Sequence, residues 1–265
     1  MNKYFVESID GGQLAVYEYG NHAGKALIFL HGFATSHLVW FQQYSDKRLL
    51  SSYRIICVDL RGHGQSLLPN SDFSENALWA ADLVSIIEQR NINHPCVVAW
   101  SYGARMINDY LLKYGQRDIA AVCYVAGASF NDLTAVGPAH QILANMCSIE
   151  NDIEYACKVF LEKIFSCISN DENYPTIKNE IEKIPVSVKF KLRNRALIYD
   201  ELFAKLTLPV LAIHGKNDTF LFPKLSEKIA STVKNGEFLL FNSSGHAPFI
   251  DEPNRFNTEL MNFFE

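Results

Sequence analysis

Ala99-Trp100-Ser101-Tyr102-Gly103 separates an apolar run, Pro95 to Trp100, from an amphipathic run, Tyr102 to Tyr114. The first has the composition of a buried strand and the second the periodicity of a helix. A serine at such a junction, with glycine two residues later, has the layout of a nucleophile elbow. That turn lifts a hydroxyl out of the sheet, sets a helix N-terminus beneath it and leaves the next backbone N–H free for an oxyanion. Small residues at 99, 103 and 104 let strand and helix pass closely. Ala99 stands where the G-x-S-x-G pattern has its first glycine.

An activated serine needs a base, and the base needs an acid to hold its tautomer. Leu208 to Ile213 reads as a buried strand and is followed by His214-Gly215-Lys216-Asn217-Asp218. Glu237 to Phe241 is a further short strand, ending in Asn242-Ser243-Ser244-Gly245-His246-Ala247-Pro248. The chain order Ser101, Asp218, His246 is the order the elbow predicts, and each residue falls just past a strand. In open α/β sheets, sites form at that edge. His214 also emerges at a strand end and competes with His246 as base, while Asp132, Asp200 and Asp251 are alternative acids. Asp251, ahead of Pro253, reads as a cap or first-turn carboxylate of the last helix.

With these motifs the chain resembles the α/β-hydrolase superfamily over nearly its whole length. The resemblance rests on His31-Gly32-Phe33, Asp59-Leu60-Arg61-Gly62-His63-Gly64-Gln65-Ser66, the elbow, Gly215 to Asp218 and Gly245 to Ile250. Small carboxylesterases, cofactor-free haloperoxidases and pimeloyl-carrier-protein methyl ester esterases are the most similar subgroups. The resemblance implies a mostly parallel eight-stranded sheet flanked by helices, with Ser101, His246 and Asp218 as catalytic residues. The N–H groups of Phe33 and Tyr102 would form the oxyanion hole. Phe33, Trp100 and Tyr102 would meet the acyl or alkyl group, although Trp100 reads equally well as a core aromatic.

Strand and helix signals alternate along the chain. Residues 3–8 and 13–19 form a hairpin around Asp10-Gly11-Gly12. Ala26 to Leu30, Ile55 to Val58 and Ile119 to Ala126 are continuous apolar runs, with helical stretches near 37–50, 75–90 and 102–114. This rhythm implies βαβ units. It stops between residues 129 and 206, where helices at Ile153 to Ile168 and Ile177 to Ile184 are expected. Residues 129–206 are read as a helical cap inserted in a core made of 1–128 and 207–265; extra scaffold is the plainer alternative.

Net charge is −5, with both signs interspersed. No basic patch for nucleic acid, signal-peptide core or membrane-length apolar stretch is evident, and a cytoplasmic location is expected. The six cysteines form no C-x-x-C pair and are read as reduced. His31, His63 and Asp59 lack metal-ligand spacing, and neither Gly11-Gly12 nor Gly62-x-Gly64 makes a phosphate cradle. No metal and no cofactor are therefore expected. Arg61 and Asp59 read as structural ion-pair residues, and His31 as a brace for its loop.

The expected chemistry is hydrolysis of esters of small or medium acyl groups through an acyl-enzyme. Carbon–carbon bond hydrolysis and perhydrolysis use the same triad, and a non-catalytic ligand receptor could occupy the same fold. The subgroup resemblance adds an acyl carrier protein as a possible partner. Lys178, Lys183, Lys189, Lys191, Arg193 and Arg195 are candidates for meeting it, or form a solvated helical face.

Overall fold

The computed structural model describes residues 1–66, 72–165 and 171–265. Eight strands form one sheet: β1 (Asn2–Glu7), β2 (Gln13–Gly20), β3 (Lys25–Leu30), β4 (Tyr53–Val58), β5 (Cys96–Trp100), β6 (Ala121–Val125), β7 (Val210–Gly215) and β8 (Gly236–Phe241). Their order across the sheet is β1-β2-β4-β3-β5-β6-β7-β8. The hairpin partner β2 pairs antiparallel with β1 and β4; every later pairing is parallel. All residues of β5, β6 and β7 are buried, the consequence of helices on both faces.

The first helices are α1 (Phe41–Tyr44), α2 (Lys47–Ser52), α3 (Asn76–Gln89) and α4 (Gly103–Tyr114). The central pair, α3 and α4, pack against each other beside the sheet. Asp46 caps α2 through the Arg48 and Leu49 amides. Gly115, at φ +80°, ends α4 by returning its N–H to the Leu111 carbonyl.

Between β6 and β7 lie α5 (Gln141–Asn145), α6 (Ile153–Ile164), α7 (Tyr174–Lys183) and α8 (Val186–Arg193), with no strand among the described residues of this insert. The helix expected over 153–168 is described to Ile164; Cys167 lies outside the described residues. Asp152 opens α6 by accepting from the Tyr155 amide. The chain closes with α9 (Lys224–Thr232), α10 (Pro248–Asp251) and α11 (Pro253–Phe264).

The basic residues expected to share a surface on the insert do not. Lys189 and Arg195 are buried, Lys189 Nζ lying 3.7 Å from the Cys157 sulfur and Arg195 Nη2 2.6 Å from Asp109 Oδ2. Lys178 is ion-paired with Glu182 and Lys183 with Glu180, Lys191 is exposed, and Arg193 lines an internal cavity. Helical periodicity turns residues spaced like these to different faces. The six therefore make neither one docking surface nor one solvated face.

Arg61 is fully buried between Asp82 and Asp10. Asp59 instead accepts from the His37 ring and amide, both at 2.8 Å. Both residues are structural, as expected, but each has its own partner. Cys57, Cys96, Cys123, Cys147 and Cys157 are buried free thiols.

Candidate active site

The parallel register brings the ends of β5, β7 and β8 to one edge, with Trp100 beside Val125 and Gly215 beside Phe241. Ser101 follows β5 directly and has φ +49°, a left-handed conformation costly for a side chain with a Cβ. Its N–H donates to the Val125 carbonyl, and its carbonyl accepts from Ala104 and Ala128, which fixes the turn. A Cβ on Gly103 would lie 2.5 Å from the Leu30 carbonyl oxygen and 2.7 Å from that of His31. Only glycine fits where α4 starts. Ala99, by contrast, is inside β5, where its methyl group packs in the core.

Asp218 is buried and receives four hydrogen bonds. Oδ1 accepts from the amides of Phe220 at 2.7 Å and Leu221 at 3.1 Å. Oδ2 accepts from His246 Nδ1 at 2.7 Å and His214 Nε2 at 3.0 Å. Burial alone would raise this carboxyl, but the two imidazoles opposite it hold it well below the usual carboxylate range. His246 therefore carries its proton on Nδ1, and its ring lines the same cavity as Ser101.

His214 is fully buried and does not line that cavity. It anchors Asp218, Ser226 and the Leu221 carbonyl, so its place is behind the acid rather than beside the serine. Trp100 Nε1 donates to the His246 carbonyl at 2.8 Å and Asp251 Oδ2 accepts from the Gly245 amide at 2.8 Å. Both hold the loop that carries His246. Asp251 is thus the last residue of α10 and a brace for this loop. It does not cap α11, where Glu252 is the flanking residue. The Asn-Ser-Ser-Gly turn curls back on α10, which the local spacing does not reveal.

Phe33 follows β3 in a loop that two histidines stiffen. His31 Nε2 accepts from the Leu60 amide at 3.0 Å while Nδ1 donates to the Gly32 carbonyl at 2.9 Å. His63 Nε2 accepts from the Ala34 amide at 3.1 Å while Nδ1 donates to the Arg61 carbonyl at 2.9 Å. Burial takes both rings down, to about 3 for His31 and about 4 for His63, so each is a neutral brace. Ala34 is itself at φ +53°. The amides of Phe33 and Tyr102 donate to no protein acceptor among the described residues.

These residues surround a cavity of about 190 Å³. Ser101, His246, Phe33, Trp100 and Tyr102 line it, Trp100 being at the same time a buried core aromatic; Asp218 stands behind His246. The insert contributes His140, Leu143, Phe160, Ile164 and Arg193, and α4 adds Arg105. Phe220 and Leu221 close the side next to His246. Sequence reasoning placed none of these residues at the site; Arg193 was read there only as one of the basic residues of the insert. Arg105, one helical turn past Ser101, had a readable signal in its spacing; His140 and Arg193 had none.

The model of the alpha/beta hydrolase family matches residues 27–259. The chain belongs to that family. Among solved structures, it is similar to a protein assigned as an aryl esterase from Burkholderia cenocepacia, at 30% identity and TM-score 0.92, covering 99% of this chain and 98% of the other. The esterase RhEst1 from Rhodococcus sp. ECU1013 matches at 27% identity and TM-score 0.90, with the same coverage. The pimeloyl-[acyl-carrier protein] methyl ester esterase of Vibrio vulnificus is 25% identical, over 91% of this chain and 94% of its own. A bromoperoxidase from Bacillus anthracis shares the fold at TM-score 0.87 and 19% identity. This hydrolase therefore has esterase and haloperoxidase-like neighbours.

Proposed function

We propose that this alpha/beta hydrolase is a serine esterase that cleaves carboxylic esters of small or medium acyl groups. The observation that carries the reading is the strained Ser101, sharing one cavity with a histidine whose Nδ1 is hydrogen-bonded to a fully satisfied aspartate. In this reading His246 Nε2 takes the Ser101 proton as Oγ bonds to the ester carbonyl carbon. The Phe33 and Tyr102 amides receive the oxyanion, and Asp218 stabilises the imidazolium. His246 then protonates the departing alkoxide as the C–O bond breaks. Water attacks the acyl-enzyme through the same base, releasing the acid and restoring Ser101.

The aromatic lining suits an apolar acyl chain, and the helical insert acts as a cap that limits its length. Phe33 meets Phe160 of α6 at a 6.4 Å ring separation, so core and insert share one wall. Esterase relatives at 25–30% identity support the ester class. Hydrolysis of p-nitrophenyl butyrate by the wild-type protein, its loss in Ser101→Ala, and fluorophosphonate labelling only of the wild type are the expected results. No turnover of p-nitrophenyl acetate or butyrate, together with no labelling, would refute the reading.

A further inference from the structure

The cavity wall holds two guanidinium groups, from Arg105 and Arg193, and no carboxylate. Arg193 has no hydrogen bond or ion pair among the described residues, and its Nε is buried without an acceptor. Arg105 donates from Nη1 to the Arg195 carbonyl at 3.0 Å and lies over the Tyr102 ring, yet its Nε is also buried without an acceptor. Residues 67–71 and 166–170 contain no Asp or Glu. The neighbouring Asp109 is already engaged by Arg195 and Tyr199. Two cations at one small cavity, with donors unused, pay a desolvation cost that a neutral ester would not relieve.

We propose that these arginines form a carboxylate subsite, and that the substrates are short esters bearing a free carboxylate. The inference rests on the esterase reading and names its substrate class. Arg105 sits one turn beyond Ser101 on α4 and Arg193 ends α8, so the carboxylate is held between the core and the insert while the ester reaches Ser101. A guanidinium offers five N–H donors in a planar fork that matches a carboxylate. His140 adds a further polar group. Burial and the two guanidiniums hold its ring below the ordinary histidine range, so it joins the site as a neutral imidazole. The remaining wall is apolar and aromatic, which suits the short methylene chain between the two ends.

Monomethyl glutarate and dimethyl glutarate differ in this one charge and share their leaving group. The wild-type protein is expected to favour the half-ester in kcat/KM by about tenfold or more, the worth of a charge-assisted hydrogen bond. Arg105→Met and Arg193→Met should each bring that ratio down to about one, and Arg193→Lys should retain much of it. A wild-type preference for the diester, or a ratio untouched in both Met variants, overturns the proposal. Glutarate binding to Ser101→Ala, followed by calorimetry, is independent of turnover. Saturable binding that either Arg→Met change weakens by about tenfold supports the subsite even if neither ester is cleaved, in which case the esterase reading alone fails. Absence of saturable glutarate binding overturns it, and so does binding that both Met variants leave intact.

Discussion

At the scale of single residues, the site depends on how one carboxylate is satisfied. Asp218 Oδ2 bonds both His246 and His214, so replacing it changes more than a charge. Asp218→Asn should reduce kcat by about three to four orders of magnitude while leaving KM within a few fold, because an amide at this position favours the wrong imidazole tautomer. Steady-state kinetics on p-nitrophenyl butyrate checks this. The same carboxyl sets a stability trend with pH. Its folded-state pKa is depressed, so its contribution is complete above the ordinary carboxylate value near 3.8 and is lost as pH falls through that value toward the folded one. Asp59, buried and hydrogen-bonded to the His37 ring and amide, is also depressed and acts in the same direction. Thermal unfolding should therefore show falling Tm below about pH 4, with a smaller fall in Asp218→Asn.

At the scale of elements, the strand-to-helix turn and the two loops beside it were made legible by unlike signals. The elbow could be read because the change from a buried strand to an amphipathic helix is local, and because Gly103 has no room for a Cβ. Gly103→Ala should lower stability by about 1–3 kcal/mol, since both obstructing atoms are backbone carbonyls that cannot step aside. A denaturant titration would measure it. The Phe33 loop and its His31 brace were also legible, but the second brace was not: His63 accepting from Ala34 joins segments nearly thirty residues apart in sequence. His63→Ala should loosen the Phe33 amide and lower kcat more than it raises KM, with a fall in Tm because it empties a buried ring position and leaves the Ala34 amide without its acceptor. Asp251 illustrates the opposite case. Its spacing before Pro253 suggested a cap for the last helix, whereas it bonds back to Gly245. Sequence distance does not encode that reversal.

At the scale of the whole molecule, the insert supplies much of the cavity wall. Phe160 and Ile164 of α6 face Phe33 and Trp100 of the core. Phe160→Ala should enlarge the cavity and raise the ratio of octanoate to butyrate ester hydrolysis, at some cost in Tm because Phe160 is 2% exposed. An unchanged chain-length profile would argue that the insert is scaffold. The buried Lys189 and Arg195 carry a related lesson about interactions. A run of basic residues in sequence is not a basic surface until folding decides which of them face outward.

The sequence alone determined the sheet, the order of its chemistry and the three residues placed at one edge. Alternating buried strands and amphipathic helices leave few ways to fold, and parallel strands end at a shared rim. Tertiary structure alone decided that His214 stands behind Asp218, that Asp251 holds the His246 loop, and that Arg105 and Arg193 meet in one cavity. Each of those outcomes depends on side chains from separate elements converging in space. Periodicity specifies which face of an element is buried, but not which distant side chain that face will meet.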